Sequence, residues 1–272
     1  MSITLDANIP LYAEGFPFKF PSGEMQIRLS EDLILHLKTE FYVDLVFNFE
    51  SNDDIMTLLL TVSAIRELYQ ECTIFLNIPY VPYSRQDRVM VPGESLSVKV
   101  FAAIVNSLNL SRVTIIDPHS DVTTALFDKV IVKTQAECVK SAVPVTQHVD
   151  TLLCPDSGAR KKTLEVAKAL GIKTIIYADK TRDVDTGHIA GTRVDLSTLP
   201  NQSLKGRNIL LVDDICEGGR TFTEIAKALG PKEDFKLSLY VTHGFFSKGM
   251  DELNNMFDNV YCFNLKNRRL QK

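Results

Sequence analysis

Two adjacent carboxylates, Asp213 and Asp214, follow the apolar run 208–212 and lead into Glu217, Gly218, Gly219, Arg220 and Thr221. The pattern predicts a strand that delivers acids into a glycine loop at a helix start. Glycines let main-chain N–H groups turn toward an anion, and the partial positive charge of a helix N-terminus favours phosphate there. Ionised carboxylates only accept hydrogen bonds, so Asp213 and Asp214 suit the hydroxyls of a sugar or a bridging cation rather than the phosphate itself. The combination makes a cradle for a sugar phosphate. A purely structural alternative has Thr221 capping the helix and Glu224 completing a capping box, with Gly230-Pro231 as the stop. Capping accounts for Thr221 and Glu224 but not for the acids and glycines upstream.

Four further groups carry chemistry. Pro79-Tyr80-Val81-Pro82-Tyr83-Ser84-Arg85-Gln86-Asp87-Arg88 sets prolines, tyrosines and a guanidinium directly after a strand. Arg85 could grip a phosphate or stack on a base, and Gln86 could read a base edge; a solvated arginine is the plain alternative. Asp117-Pro118-His119-Ser120-Asp121 puts an imidazole between carboxylates, where it could hold a metal or a polyphosphate or simply bond within the loop. Asp156-Ser157-Gly158-Ala159-Arg160 repeats the acid-glycine-helix logic, so Asp156 could hold Mg²⁺ or a hydroxyl, or cap the helix. Lys180-Thr181-Arg182, expected on a polar loop before Asp183, Asp185, Thr186 and Gly187, suits a lid that neutralises a transferring phosphoryl group, or only solvation.

These groups need elements to position them. Apolar, β-rich runs at 73–80, 113–117, 151–156, 174–178, 208–214 and 237–243 alternate with helical patterns at 54–70, 97–108, 161–170 and 221–229. Such alternation predicts an α/β chain of parallel sheets flanked by crossover helices. The pattern restarts near Val145, after the polar segment 134–141, so a boundary is expected there, giving two lobes, 1–144 and 145–272, with a cleft between them. The chemical groups all fall at strand carboxyl ends, where ligands of open parallel sheets gather.

Composition narrows the class. A 272-residue chain, 45% hydrophobic and 24% charged, has enough apolar material for two modest domains and is neither fibrous nor disordered. A net charge of -4 argues against nucleic-acid binding through a broad basic surface. Five scattered cysteines without a CxxC pair fit reduced thiols and a cytoplasmic location. Neither an export signal nor a membrane span is expected.

Taken in order, Phe20-Pro21-Ser22-Gly23-Glu24, Pro82 to Arg88, Ser97-Val98-Lys99, Asp117-Pro118-His119, Pro155 to Gly158, Lys180-Thr181-Arg182, Val212-Asp213-Asp214 and Thr242-His243-Gly244-Phe245-Phe246-Ser247 resemble the ribose-phosphate diphosphokinases. The resemblance covers nearly the whole chain. It implies two phosphoribosyltransferase-type lobes and transfer of the β,γ-diphosphoryl group of ATP to the anomeric hydroxyl of ribose 5-phosphate, with AMP released and Mg²⁺ required. It also implies a homo-oligomer, dimer or hexamer, and neither nucleic acid nor membrane as a partner. Carried over by position, Phe20 stacks on adenine, Ser22 and Glu24 meet its polar edge, and Arg85 and Gln86 also serve ATP. His119 and Asp156 are the Mg²⁺-associated positions, His119 being catalytic together with the lid cations Lys180 and Arg182. Asp156, Asp213 and Asp214 serve the ribose, and Glu217, Gly218, Gly219, Arg220 and Thr221 surround its 5-phosphate.

The resemblance fails at one place that matters. The family loop usually reads Asp-Asp-x-x-Asp-Thr-x-Gly-Thr, whereas this chain has Gly218 and Gly219 in place of a hydroxyl donor and a small residue, and Arg220 in place of the late glycine. Two glycines open room and Arg220 adds a cation able to meet a second phosphate. The loop therefore points to a ribose 5-phosphate bearing a 5-substituent, with ADP-ribose the obvious acceptor and its pyrophosphate a feed for NAD synthesis. An ordinary synthetase restricted to ribose 5-phosphate, a phosphoribosyltransferase and a noncatalytic synthetase-associated protein are the alternatives. The segment Val89-Met90-Val91 also departs from the charged continuation usual in the family.

Overall fold

The computed structural model describes residues 16–144, 148–182, 189–231 and 233–266. The chain forms two compact units, Met1–Lys133 and Thr134–Lys272.

In the first unit an antiparallel hairpin, β1 (Phe16–Lys19) and β2 (Met25–Arg28), precedes α1 (Glu31–Thr39). Four parallel strands follow in spatial order β3 (Tyr42–Val46), β4 (Thr73–Ile78), β5 (Arg112–Ile116) and β6 (Val130–Lys133). They are joined by α2 (Asn52–Leu68), α3 (Ser97–Ser107) and α4 (Asp121–Leu126). Burial along β4 alternates with the two-residue period of a strand, so Leu76 and Ile78 join Val43, Leu45, Val113 and Ile115 on the closed face. Asp54 fixes the start of α2, its Oδ2 accepting the N–H groups of Glu50 at 2.8 Å and Ser51 at 2.7 Å.

The second unit opens with α5 (Gln135–Ala142) and continues through β7 (Thr151–Cys154), α6 (Arg160–Leu170), β8 (Thr174–Arg182), β9 (Ile189–Asp195), a 3-10 turn (Pro200–Gln202) and β10 (Asn208–Cys216). It ends with α7 (Arg220–Leu229), β11 (Lys236–Gly244), α8 (Asp251–Met256) and β12 (Asn259–Leu265). The sheet order is β12-β11-β10-β7-β8-β9, with only β9 antiparallel to its neighbour. All four residues of β7 and eight of the nine in β11 are buried, as expected of central strands covered on both faces.

The α/β architecture and its parallel strands match the expectation from sequence. Three local readings change. The polar segment 134–141, read as a boundary, is helix α5, which packs on α6 and β12 and buries Cys138 and Val139. Its start is a reciprocal cap in which Glu137 N–H donates to Thr134 Oγ1 at 3.3 Å and Thr134 N–H donates to Glu137 Oε2 at 2.7 Å. The compact units accordingly divide at 133/134, ahead of the 144/145 position drawn from sequence. Second, β8 does not end at Ala178 but runs on to Arg182, because β9 pairs with it as an antiparallel ribbon. Third, Thr221 is not the cap of α7; Gly219 is, in the left-handed conformation at φ 77°, and Glu224 instead pairs with Arg220.

Candidate active site

Strand order reverses between β7 and β10, since β7 leads through α6 to β8 on one side and β10 leads through α7 to β11 on the other. Backbone crossovers diverge at that point and leave a crevice at the strand carboxyl ends. Asp156, two residues beyond β7, and Asp213 and Asp214, in the last half of β10, stand at this reversal.

The three acids are held differently. Asp156 Oδ1 accepts the Ala159 N–H at 3.1 Å, which folds the loop back on itself. A side chain on Gly158 would bring its Cβ to 3.3 Å from that same oxygen, so the glycine makes room for the turn. Asp214 is buried, 6% exposed, and its Oδ2 lies 3.2 Å from Lys162 Nζ on α6. Asp213 is half-buried and accepts the Asp214 N–H at 2.9 Å. Burial above all, then the Asp214 carboxylate and Asp156, push the Asp213 carboxyl well above the usual carboxylate range, against the hydrogen bond from Asp214 and the Lys162 charge. The three acids are thus close enough to influence one another, with the Lys162 ammonium beside the buried Asp214.

The following loop turns on a glycine into α7. Gly219 takes a left-handed conformation and its α-carbon packs so closely that an added Cβ would sit 3.2 Å from Leu253 Cδ2. At the start of α7 the Phe222 and Thr223 N–H groups both donate to Gly219 O, at 3.0 and 3.1 Å, and the aligned peptide dipoles leave partial positive charge at this N-terminus. The adjoining turn after β11 clamps the loop: Phe245 N–H donates to Cys216 O at 2.8 Å, and Ser247 N–H donates to Glu217 O at 2.8 Å. Arg220 is exposed and its Nε donates to Glu224 Oε1 at 2.6 Å along α7. The neighbouring thiol of Cys216 is pushed up to about 12 by burial and by Asp213, so it is no nucleophile at neutral pH.

Lys180 and Arg182 lie on β8 beside the bulge between Thr181 and Arg182, opposite Thr192 and Ile189 of β9. Asp183, Asp185, Thr186 and Gly187, named with them in the sequence, lie outside the described residues.

The first unit carries the remaining positions. Phe20 to Glu24 form the tip of the β1–β2 hairpin, closed by Phe20 N–H to Glu24 O and by Gly23 N–H to Phe20 O, each at 2.8 Å. Phe20 is 47% exposed and edge-on to Phe18, while the Ser22 hydroxyl donates to Glu24 Oε2 at 2.7 Å. The tip thus presents an open aromatic face beside a polar pair. After β4, Tyr83 adopts φ 62° with its ring against Phe49 and Phe101 and its hydroxyl bonded to Asn52. Gln86 N–H closes the turn on Tyr83 O at 2.8 Å, which leaves Arg85 and Gln86 exposed and buries Ser84 and Asp87.

Asp87 links this loop to His119. Burial raises its pKa, yet the nearby Ser120 hydroxyl, the Arg88 guanidinium and His119 outweigh it and hold the carboxyl below its ordinary value. Arg88 Nε is 3.2 Å from Asp87 Oδ1, whereas the buried Ser120 Oγ faces the acid without meeting strict hydrogen-bond geometry. The Asp117 turn that carries His119 has φ 38° and is pinned by its N–H to Lys133 O at 2.8 Å.

The structure therefore brings Asp156, Asp213, Asp214 and the 217–221 loop to one end of one sheet, and Arg85, Gln86, Asp87 and His119 to adjoining loops of the other unit. In the sequence Lys162 stands out only as one of the cations that begin the helix after Gly158, and Lys248 does not stand out. Lys162 lies four residues before the buried Val166, a spacing that turns it toward the sheet. Among the described residues no group of three or more His, Cys, Asp and Glu gathers as a metal cage, and no helix is long and apolar enough to cross a membrane.

Comparison with known proteins gives a consistent picture. Residues 8–108 match the model of the N-terminal domain of ribose phosphate pyrophosphokinase, and residues 124–263 match the phosphoribosyl transferase domain. The ribose-phosphate pyrophosphokinase of Thermoplasma acidophilum is 30% identical over 230 residues, covering 84% of this chain and 74% of the relative. That of Pyrococcus furiosus is 29% identical over 260 residues, covering 90% and 84%. In fold, the chain is similar to the phosphoribosylpyrophosphate synthetase from Mycobacterium smegmatis, with a TM-score of 0.66 at 22% identity over 86% of this chain and 74% of that one.

Proposed function

Because the chain belongs to the ribose-phosphate pyrophosphokinase family, it is an ATP-dependent diphosphotransferase acting on a ribose phosphate, and we propose that its acceptor is a ribose 5-phosphate carrying a 5-substituent, ADP-ribose in particular. The observation that carries this reading is the loop Gly218-Gly219-Arg220, which lacks the hydroxyl donor of the family pattern and lies just beyond the acidic end of β10. A phosphate monoester loses a partner there, while a phosphate diester gains room and a cation.

In this reading Phe20 stacks on adenine, Ser22 and Glu24 meet its edge, and Arg85 and Gln86 hold the nucleotide. Asp213 and Asp214 accept the ribose 2- and 3-hydroxyls, and the N–H groups at the start of α7 surround the 5-phosphate. The anomeric oxygen then bonds to the β-phosphorus of ATP as the bond from that phosphorus to the α,β-bridging oxygen breaks. AMP leaves on that oxygen and the hydroxyl proton is released. Lys180 and Arg182 neutralise charge on the moving diphosphoryl group, so the protein contributes alignment and cations rather than a nucleophile. Asp156 offers a carboxylate to an Mg²⁺ ion that arrives with ATP, since such an ion is held by one or two carboxylates and completes its shell with phosphate oxygens and water, and His119 has the Mg²⁺-associated role on the nucleotide side. When bound the ion would offset phosphate charge. The product, the 1-diphosphate of ADP-ribose, is an activated donor for attaching nicotinamide and so for making NAD.

The test is the ratio of kcat/KM for ADP-ribose to that for ribose 5-phosphate, measured by AMP release at saturating ATP and Mg²⁺, with ³¹P NMR of the product. A preference for ADP-ribose that weakens in the double variant Gly218→Thr, Arg220→Gly supports the reading. A wild-type preference for ribose 5-phosphate ends it.

A further inference from the structure

Lys248, which follows the Phe245-Phe246-Ser247 run, lies beside the loop after β10. The aliphatic stem of Lys248 lies across Gly218: a Cβ added to Gly218 would meet Lys248 Cδ at 3.4 Å, Cε at 3.5 Å and Cγ at 3.6 Å. The ammonium is one bond beyond Cε.

The lysine is carried on a fixed turn. Gly249 N–H donates to Phe246 O at 2.8 Å, closing a four-residue turn with Lys248 at its third position. Phe246 anchors one end in the core at 2% exposure, its ring filling the space that a side chain at Gly244 would occupy. Ser247 fixes the middle, donating to Glu217 O through its N–H at 2.8 Å and its hydroxyl at 3.2 Å. Arg220, the cation that stands out in the sequence, stands exposed on α7 with its Nε bonded to Glu224 at 2.6 Å, so Lys248 is a second cation beside the loop.

From this geometry we propose that Lys248 pairs with the phosphate beyond the 5-phosphate of the acceptor and, with Gly218 beneath it, sets acceptor specificity. The inference rests on the 5-substituted acceptor proposed above. A methyl at Gly218 would touch the lysine stem at ordinary contact distance, so the crossing stem excludes side chains larger than alanine's, such as the threonine of the family pattern.

The test compares wild type, Lys248→Ala and Lys248→Arg, reading KM and kcat for ADP-ribose, KM for ATP, and KM or competitive Ki for ribose 5-phosphate. In Lys248→Ala the KM for ADP-ribose should rise about tenfold relative to the constant for ribose 5-phosphate, as expected for one lost charged contact. The change should fall on KM rather than kcat, leave the KM for ATP in place, and be restored largely by Lys248→Arg. Wild-type turnover of ADP-ribose with both acceptor constants moving equally, or neither moving, would overturn the role of Lys248 while the acceptor reading stood. Wild-type turnover of ribose 5-phosphate alone would overturn the acceptor reading itself, and this inference with it.

Discussion

Lys162 Nζ on α6 lies 3.2 Å from Asp214 Oδ2 on β10, bridging the two elements at the point where strand order reverses. Asp213 and Asp214 are adjacent in the chain, so their charges repel, and Lys162 offsets that repulsion for both. The Lys162 charge thus opposes, without cancelling, the rise that burial and Asp214 impose on the Asp213 carboxyl.

Replacing Lys162 by Met should leave the buried Asp214 without the lysine ammonium. The expected loss is about 1–3 kcal/mol of stability by denaturant unfolding, below the cost of breaking a fully buried pair because the lysine retains some exposure. The acceptor KM should rise more than the KM for ATP.

Asp213 gives a signed pH dependence. Its folded-state pKa is raised by burial and by Asp214, so the folded protein holds that proton more tightly than the unfolded chain. Stability from this group is full below the ordinary carboxylate range and is lost as pH rises through the raised value. Asp213→Asn should therefore be more stable than wild type at neutral pH, with a flatter dependence of unfolding free energy on pH. It should also lower kcat/KM for the acceptor roughly 10- to 100-fold, the effect of losing a charged hydrogen bond to a hydroxyl. Equal stability of the two proteins from pH 4 to 8 would show that Asp213 carries no such strain.

The two loop glycines should behave differently. Gly219 has φ 77°, and a Cβ added there would lie 3.2 Å from Leu253 Cδ2, so Gly219→Ala should cost about 1–2 kcal/mol and raise the acceptor KM. Gly218 has no positive φ and a first contact at 3.4 Å, so Gly218→Ala should unfold with wild-type character. Thermal melts of the pair read the contrast directly.

Tyr83 holds the turn that presents Arg85 and Gln86. Tyr83→Phe keeps the ring contacts with Phe49 and Phe101 but removes the bond to Asn52, which should cost about 1 kcal/mol. If that turn orients the nucleotide groups, the KM for ATP should rise while the KM for the acceptor stays put.

Much of the fold is readable in the chain. Parallel strands announce themselves as apolar runs such as 208–212 and 237–241, because a central strand buried on both faces has no polar side to show. The acids at strand ends are equally legible. Three features are not. Helix α5 has a polar exposed face, and only its Thr134/Glu137 cap signals it. Strand β9 contains Gly191 and lacks an apolar run, so the extension of β8 to Arg182 depends on pairing with a partner that carries little signal of its own. Lys162 lies against Asp214, 52 residues away in sequence, and Lys248 against Gly218, about 30 away, which periodicity cannot reach.

The central claim is transfer of the β,γ-diphosphoryl group as one unit. The most direct measurement follows ATP labelled at the β-phosphorus, with Mg²⁺ and either ADP-ribose or ribose 5-phosphate. The account predicts that label leaves with the acceptor as a diphosphate on its anomeric carbon, matched one for one by unlabelled AMP. Labelled ADP with a monophosphorylated acceptor, or no AMP from either acceptor, would contradict it.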